Sequence, residues 1–158
     1  MKEYILTFLI SMVPLVELRA GIPAGVAMGV DWKTAVLLCM IGNIVPVPFI
    51  FFFARRVLEW GADKPVIGKF FSWCLKKGHH GGEKLKAKAG KGMFWALMLF
   101  VGIPLPGTGA WTGTLAASIL DLDFKKCTIA VLAGIVLAGI IMGLASAGLF
   151  GAWGAVFS

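Results

Sequence analysis

Charged residues make up only 15% of this 158-residue chain, and just eight of them are acidic. That is too little charge to solvate a soluble domain of this size. Cysteine is also sparse. Cys39, Cys74 and Cys127 lie far apart, with no CxxC pair and no metal-ligand spacing, which excludes a disulfide framework and a cysteine metal centre. Cys39 and Cys127 fall in apolar runs and read as small packing residues. The two histidines, His79 and His80, sit between glycines without a second ligand cluster and read as solvated loop residues. Neither GxSxG nor HExxH occurs, and Ser118 and Ser146 have no histidine or lysine close by in sequence. No enzyme, cofactor or metal is therefore expected. The first apolar run lacks an Ala-x-Ala-like site and runs straight into Glu17 and Arg19, so no cleavable signal peptide is expected either.

What fills the sequence is hydrocarbon: 59% of residues are apolar and the mean hydropathy is +0.89. The fold class is an all-α integral membrane protein. Two of its apolar runs, 4–16 and 93–103, are too short to span, because a crossing needs roughly 20 residues at about 1.5 Å each. A second short arm follows each, over 22–30 and 110–120, after a Pro- or Gly-bearing elbow. The elbows are Glu17-Leu-Arg-Ala-Gly-Ile-Pro23 and Pro104-Leu-Pro-Gly-Thr-Gly109. Two half-depth arms joined by such an elbow describe a hairpin that enters the membrane and turns back. Irregular backbone at that depth survives only where protein or a water-filled cavity satisfies it, so the elbows are candidate binding sites.

The charge is concentrated in one place. Between Arg55 and Lys91 stand ten basic residues and three acidic ones, a net +7 that equals the charge of the whole chain. The positive-inside rule places this loop in the cytoplasm of a multi-pass inner (plasma) membrane protein. Within it, residues 64–77 mix Phe, Trp and Ile with flanking lysines, the pattern of a short helix lying among anionic lipid headgroups.

A shift of 92 residues lays Gly21 on Gly113, Asp31-Trp-Lys33 on Asp123-Phe-Lys125, and Gly42 on Gly134. The expected organisation follows from that repeat. A first membrane repeat over 1–54 holds a re-entrant hairpin (4–30) and a transmembrane helix (34–54). The basic loop covers 55–91. A second repeat over 92–158 holds a hairpin (93–120) and a transmembrane helix (127–150). Two topologies compete. If 4–29 and 93–120 cross fully, the chain has four spans. If they are re-entrant, each half crosses once and the halves form an inverted repeat, which the elbow depth and the side of Lys125 and Lys126 favour.

In the first long helix Asn43, Pro46 and Pro48 fall mid-membrane. The prolines must bend or loosen the helix, and Asn43 either bridges helices or lines a pathway. In the second, Gly139, Gly143, Ala147 and Gly151 recur every four residues, a smooth stripe for close helix packing within the chain or between copies.

The chemistry lies in the elbows. Glu17 and Arg19 are two residues apart and would pair poorly on a helix or a strand, so each needs a partner elsewhere or a bound ligand. A charge at the bilayer centre costs about 2.5–3.5 kcal/mol and marks pathways, relays or paired charges, although both could instead snorkel to the interface. Arg19 has the planar fork that suits a phosphate, and Glu17 can take up and release a proton. In the second elbow Pro104 and Pro106 stiffen the chain, while Gly107 and Gly109 let amide N–H groups turn inward. Thr108 and Thr112 add hydroxyls, and Trp111 supplies a flat wall. The arm that starts there offers a helix N-terminus to an anion. The candidate substrate-binding set is Glu17, Arg19, Gly21, Pro23, Asn43, Pro104, Pro106, Gly107, Thr108, Gly109, Trp111 and Thr112, with Glu17 as the proton-coupling group.

The stretches Glu17-Leu-Arg-Ala-Gly-Ile-Pro-Ala-Gly25 and Gly102-Ile-Pro-Leu-Pro-Gly-Thr-Gly-Ala-Trp-Thr-Gly113 resemble the two signatures of the putative small multi-drug export protein family. That family is similar to the wider DedA superfamily, whose members have paired re-entrant hairpins and inverted repeats. The resemblance implies translocation of undecaprenyl phosphate or a related anionic lipid, linked to an ion gradient; membrane lipids are the expected partners, and a homo-oligomer, a dimer, is the expected assembly. The chain departs from the DedA pattern in its second elbow, which carries no charge. The alternative is proton-coupled export of small cationic drugs, although no aromatic drug cage is evident along the sequence.

Overall fold

Both long helices start on an aspartate. The Asp31 carboxylate accepts from the backbone N–H of Lys33 (3.1 Å) and Thr34 (3.3 Å), and that of Asp123 from Lys126 (3.0 Å). Such caps satisfy donors that the first helical turn leaves free and are worth about 1 kcal/mol each. The Asp-aromatic-Lys pattern of the sequence is thus a helix-start signal, used twice.

The computed structural model describes residues 1–14, 16–73, 76, 92–105 and 108–157, with side chains as far as residue 148. Among these the chain is helical, without strands. In order come α1 (Lys2–Met12), α2 (Glu17–Ala27), α3 (Trp32–Ile44), α4 (Pro46–Ala62), α5 (Gly92–Gly102), α6 (Ala110–Ile119) and α7 (Phe124–Phe157). Residues 74, 75 and 77–91 of the basic loop, including Cys74, His79 and His80, lie outside the described residues, as do Pro106 and Gly107.

α3 and α4 are one rod. Val45 between them is in the right-handed helical region, and its N–H still reaches Ile41 O at 3.2 Å, so the ladder is interrupted just at Pro46 and Pro48, which have no N–H to donate. Trp32–Ala62 runs for 31 residues, longer at both ends than the expected 34–54, because Pro46 sits where a helix tolerates it, at the start of a new turn. The second rod begins at Phe124, three residues before the expected 127, and is apolar over Phe124–Gly148. Both are long and apolar enough to cross a membrane.

The shorter helices pack in pairs against these rods, α1 and α2 on α3, α5 and α6 on α7. Small residues allow the close approach. A Cβ on Gly42 would overlap Ser11 and the Phe8 carbonyl, and one on Gly134 would meet Val101 and the Met98 carbonyl at 2.6 and 2.7 Å. Gly21 faces Cys39 and Ser11, as Gly113 faces Val101 and Leu97. The stripe on α7 is used within the chain: Gly139 lies against Met40, and Gly143 against Val36 and Trp32, all on α3. The interior holds Leu18, Ile22, Val101, Val131 and Ile135 beside small polar Thr7 and Ser11, whose hydroxyls donate back to Glu3 O and Phe8 O. Large apolar side chains face outward instead, among them Leu37, Phe49, Phe53, Ile129, Ile140 and Leu144. Small residues where helices touch, together with many large apolar side chains on the outside, is the distribution that suits a hydrocarbon solvent.

The turns leaving α2 and α6 use the same three bonds. Met28, Gly29 and Val30 N–H groups reach the carbonyls of Ala24, Val26 and Gly25. Leu120, Asp121 and Leu122 N–H groups reach those of Ala116, Ser118 and Ala117. Gly29 (φ +89°) and Asp121 (φ +54°) supply the left-handed residue that this kind of helix stop needs. The remaining positive-φ residues among those described, Glu17 and Gly109, are separated by the same 92 positions.

Packing this tight makes a prediction. Gly42→Ala and Gly134→Ala should each cost about 1–3 kcal/mol by forcing a methyl into a closed contact. Gly148→Ala, where a Cβ meets nothing within 4 Å, should be neutral or mildly stabilising. Denaturation of the purified protein in detergent reads the difference.

Candidate functional site

The first elbow falls earlier in the chain than expected: α1 ends at Met12 and α2 starts at Glu17, so 17–23 forms the first turns of the second arm, which runs to Ala27 and not over 22–30. With Pro23 compatible with the helix, the break lies before Glu17, and this junction is in contact with the second elbow. α6 begins after Gly109, which has no side chain to cap it, so its first N–H groups need an acceptor from elsewhere. Glu17 supplies one from 93 residues away: its carboxylate accepts from Ala110 N–H at 3.3 Å and Trp111 N–H at 2.9 Å. The side chain is 3% exposed. A negative charge at a helix N-terminus is favoured by the helix dipole as well as by the hydrogen bonds. The fit is close enough that any Cβ at Gly109 would overlap the carboxylate, and Gly109 at φ +136° is in a conformation that favours glycine anyway. Glu17 itself is held at φ +49°, which is rare for a side chain of this size.

Arg19 does the converse. α5 stops at Gly102, and the loop after it presents carbonyls with no partner in a helix. The guanidinium donates to Val101 O (3.4 Å), Ile103 O (3.1 Å), Leu105 O (2.9 Å), Thr108 O and Thr108 Oγ1 (2.7 Å). The Thr108 hydroxyl in turn donates toward Ile103 O and Leu105 O, so one cation and one hydroxyl organise the loop. Positive charge at a helix C-terminus is again the favourable sign. The pairing is reciprocal, because the Trp111 indole N–H donates to Met12 O at 3.2 Å, the last residue of α1. Arg19 and Trp111 are 92 positions apart, and each caps the first arm of the other half.

The other expected site residues are distributed unevenly. Gly21 lies in a tight contact between α2, α1 and α3 rather than at the elbow. Pro23 sits inside α2, half-buried. Asn43 is 1% exposed, and its Oδ1 has no hydrogen-bond partner among the described residues. Pro104 lies in the loop that Arg19 holds.

Beside the elbows, Trp111 and Thr112 line an open cavity of about 590 Å³ between α4 and α6, with Pro14, Phe49, Phe53 and Leu115 along its sides. Its lining is almost wholly apolar, and its size is that of a small-molecule or lipid-chain site. The Ser118 hydroxyl, donating to Phe51 O at 2.7 Å, ties α4 to α6 below it. Sequence reasoning did not bring Phe49, Phe53 and Trp111 together. The first two follow each other at i, i+4 on α4, but nothing local points from them to Trp111, about sixty residues on. At the far end of α4, Arg55 donates to Glu59 at 2.9 Å and also pairs with Asp121 in the turn before α7.

Residues 17–141 match the family described as Putative small multi-drug export protein. The chain belongs to that family. No curated protein and no solved structure matches it. The matched region begins on Glu17 and takes in both elbows, the whole first rod and the second as far as residue 141. As a member of the small multi-drug export family with two such rods, the chain is a membrane protein of a transport family.

Glu17→Ala should destabilise this family member by about 2–5 kcal/mol, because it strands two buried N–H groups. Gly109→Ala should cost more than Gly29→Ala, which adds only backbone strain, since a Cβ at Gly29 meets nothing within 4 Å. In the double variant Glu17→Ala/Gly109→Ala the two costs should add to less than their sum. Chemical denaturation in detergent tests this, and strict additivity would show that the two residues do not meet.

Proposed function

We propose that this protein is a transporter in which two hairpins, α1/α2 and α5/α6, enter the bilayer from opposite faces and meet at their elbows. Each arm has 10 or 11 residues, about 16 Å of helix, roughly half of a 30 Å hydrocarbon core. The Arg55–Asp121 pair favours this arrangement, since four complete spans would leave those residues on opposite sides of the membrane. Positive-φ residues repeating at 92 positions favour an inverted repeat, a design in which broken helices meet at a central site. The basic loop 55–91 then lies in the cytoplasm, and the protein in the inner membrane.

One observation carries the functional reading: a carboxylate of the protein occupies a helix N-terminus that opens beside an apolar cavity. Glu17 stands where a substrate anion would bind. A proton on Glu17 weakens its hold on Ala110 and Trp111, because a neutral carboxyl is a poorer acceptor than a carboxylate. The phosphate of a polyprenyl lipid such as undecaprenyl phosphate then takes the two amides, with its hydrocarbon in the cavity against Phe49, Phe53 and Trp111. Proton release returns Glu17 to its seat and expels the anion. Arg19 keeps the loop before α6 in shape and offsets the negative charge. This accords with a DedA-like lipid carrier, with backbone amides replacing the charge absent from the second elbow.

The alternative, proton-coupled export of lipophilic cations, draws support from the aromatic lining of the same cavity and the carboxylate near it. Reconstitution separates the two. Liposomes containing the protein should move labelled undecaprenyl phosphate in a pH-dependent way. Glu17→Gln should slow transport at least about tenfold and flatten the pH dependence, and Arg19→Ala should also slow it. Unchanged lipid translocation in both variants would overturn the reading, and transport of a lipophilic cation without the lipid would establish the alternative.

A further inference from the structure

Where α4 ends, three lysines line one hollow. The chain after Ala62 folds back on the helix end instead of leaving it. Gly61 lies beneath the Phe71 ring, where a Cβ would not fit, and Gly68 abuts the Ala62 carbonyl. Gly68 N–H bonds Lys64 O at 2.8 Å, and Lys64 N–H bonds Gly61 O at 3.1 Å. This fold-back forms an open hollow of about 450 Å³ lined by Lys64, Gly68, Lys69, Ser72, Trp73 and Lys76. Lys69, Ser72, Trp73 and Lys76 have the i, i+3, i+4, i+7 spacing of one helical face. No carboxylate is among the described residues that line it.

The surroundings fix the depth at which this cavity sits. Ala62, at its edge, ends the helix Trp32–Ala62 about two turns beyond Arg55 and Arg56, so the cavity stands on the polar side of that helix end. Around it Val66, Phe70 and Trp73 project outward, 89%, 63% and 56% exposed, and Phe70 stacks on Trp73. The Lys64 ammonium lies 4.5 Å from the Trp60 ring centre. Aromatic side chains exposed beside a basic hollow at that depth are the arrangement expected where a lipid headgroup is held and its chains pass alongside.

We propose that this cavity is a stoichiometric binding site for the phosphate headgroup of an anionic membrane phospholipid. Lys64, Lys69 and Lys76 supply point charges to the phosphate, the Ser72 hydroxyl supplies a hydrogen bond, and Phe70 and Trp73 contact the acyl chains. Unlike the diffuse attraction of a basic loop to a charged surface, such a site saturates at one lipid per protomer and discriminates by headgroup. It is independent of what the elbows carry.

Native mass spectrometry of the purified full chain with equal amounts of phosphatidylglycerol and phosphatidylcholine of identical chains tests it. One phosphatidylglycerol should be retained preferentially. Lys64→Gln/Lys69→Gln/Lys76→Gln should weaken that binding at least about tenfold. Lys33→Gln/Lys125→Gln/Lys126→Gln, with the same loss of charge, should leave it intact. Melting curves establish that both variants are folded, and the single variants Lys69→Gln and Trp73→Ala, each with a smaller loss, serve if the triple variant is not. Equal retention of the two lipids, equal losses in the two triple variants, or displacement by equimolar soluble glycerol phosphate would each overturn the proposal.

Discussion

Helix ends inside an apolar protein need partners, and in this chain the partners come from the opposite half. α6 starts on a glycine that cannot cap it, and α5 stops before a loop of exposed carbonyls. Glu17 answers the first and Arg19 the second. Each charge would be costly alone in such surroundings, but each lies at the helix end whose dipole it complements. The strained backbone at Glu17, the obligatory glycine at 109 and the packing of α2 against α7 are consequences of bringing those side chains to those ends.

The same constraint explains why the second elbow lacks charge. The position matching Arg19 is Trp111, whose indole N–H performs the equivalent service for the end of α1 with one bond instead of several. The position matching Glu17 is Gly109, bare because the Glu17 carboxylate needs the space. The two elbows are therefore complementary halves of one junction. A junction closed by the protein's own anion differs from a vacant anion site, and this difference turns the proposed transport cycle into an exchange: a substrate enters only as Glu17 yields.

Much of the architecture was legible in local pattern. The short arms, the Asp-aromatic-Lys starts of the rods and the 92-residue offset all rest on spacing along the chain, which helix geometry makes readable. The α7 glycine stripe left two readings open, and its contacts with Val36, Met40 and Trp32 settle how Gly139 and Gly143 are used. Glu17 and Arg19 were recognisable as charges in need of partners. That the partners are backbone groups of the other elbow was not, because backbone donors and acceptors carry no sequence signature. Gly21 belonged by motif to the elbow but by packing to the helix contact behind it. The cavity of Phe49, Phe53 and Trp111 was invisible for a similar reason, since it exists only once α4 and α6 lie side by side.

Everything proposed about transport rests on the elbows meeting from opposite faces of the bilayer. Sided labelling tests that most directly, with single cysteines at Asp31 and Lys125 in a chain whose native cysteines have been replaced, probed by a membrane-impermeant thiol reagent in intact cells and in inverted vesicles. The account predicts that position 31 labels from one side only and position 125 from the other only. Labelling of both positions from the same side would mean that the short helices cross the membrane completely, and would contradict it.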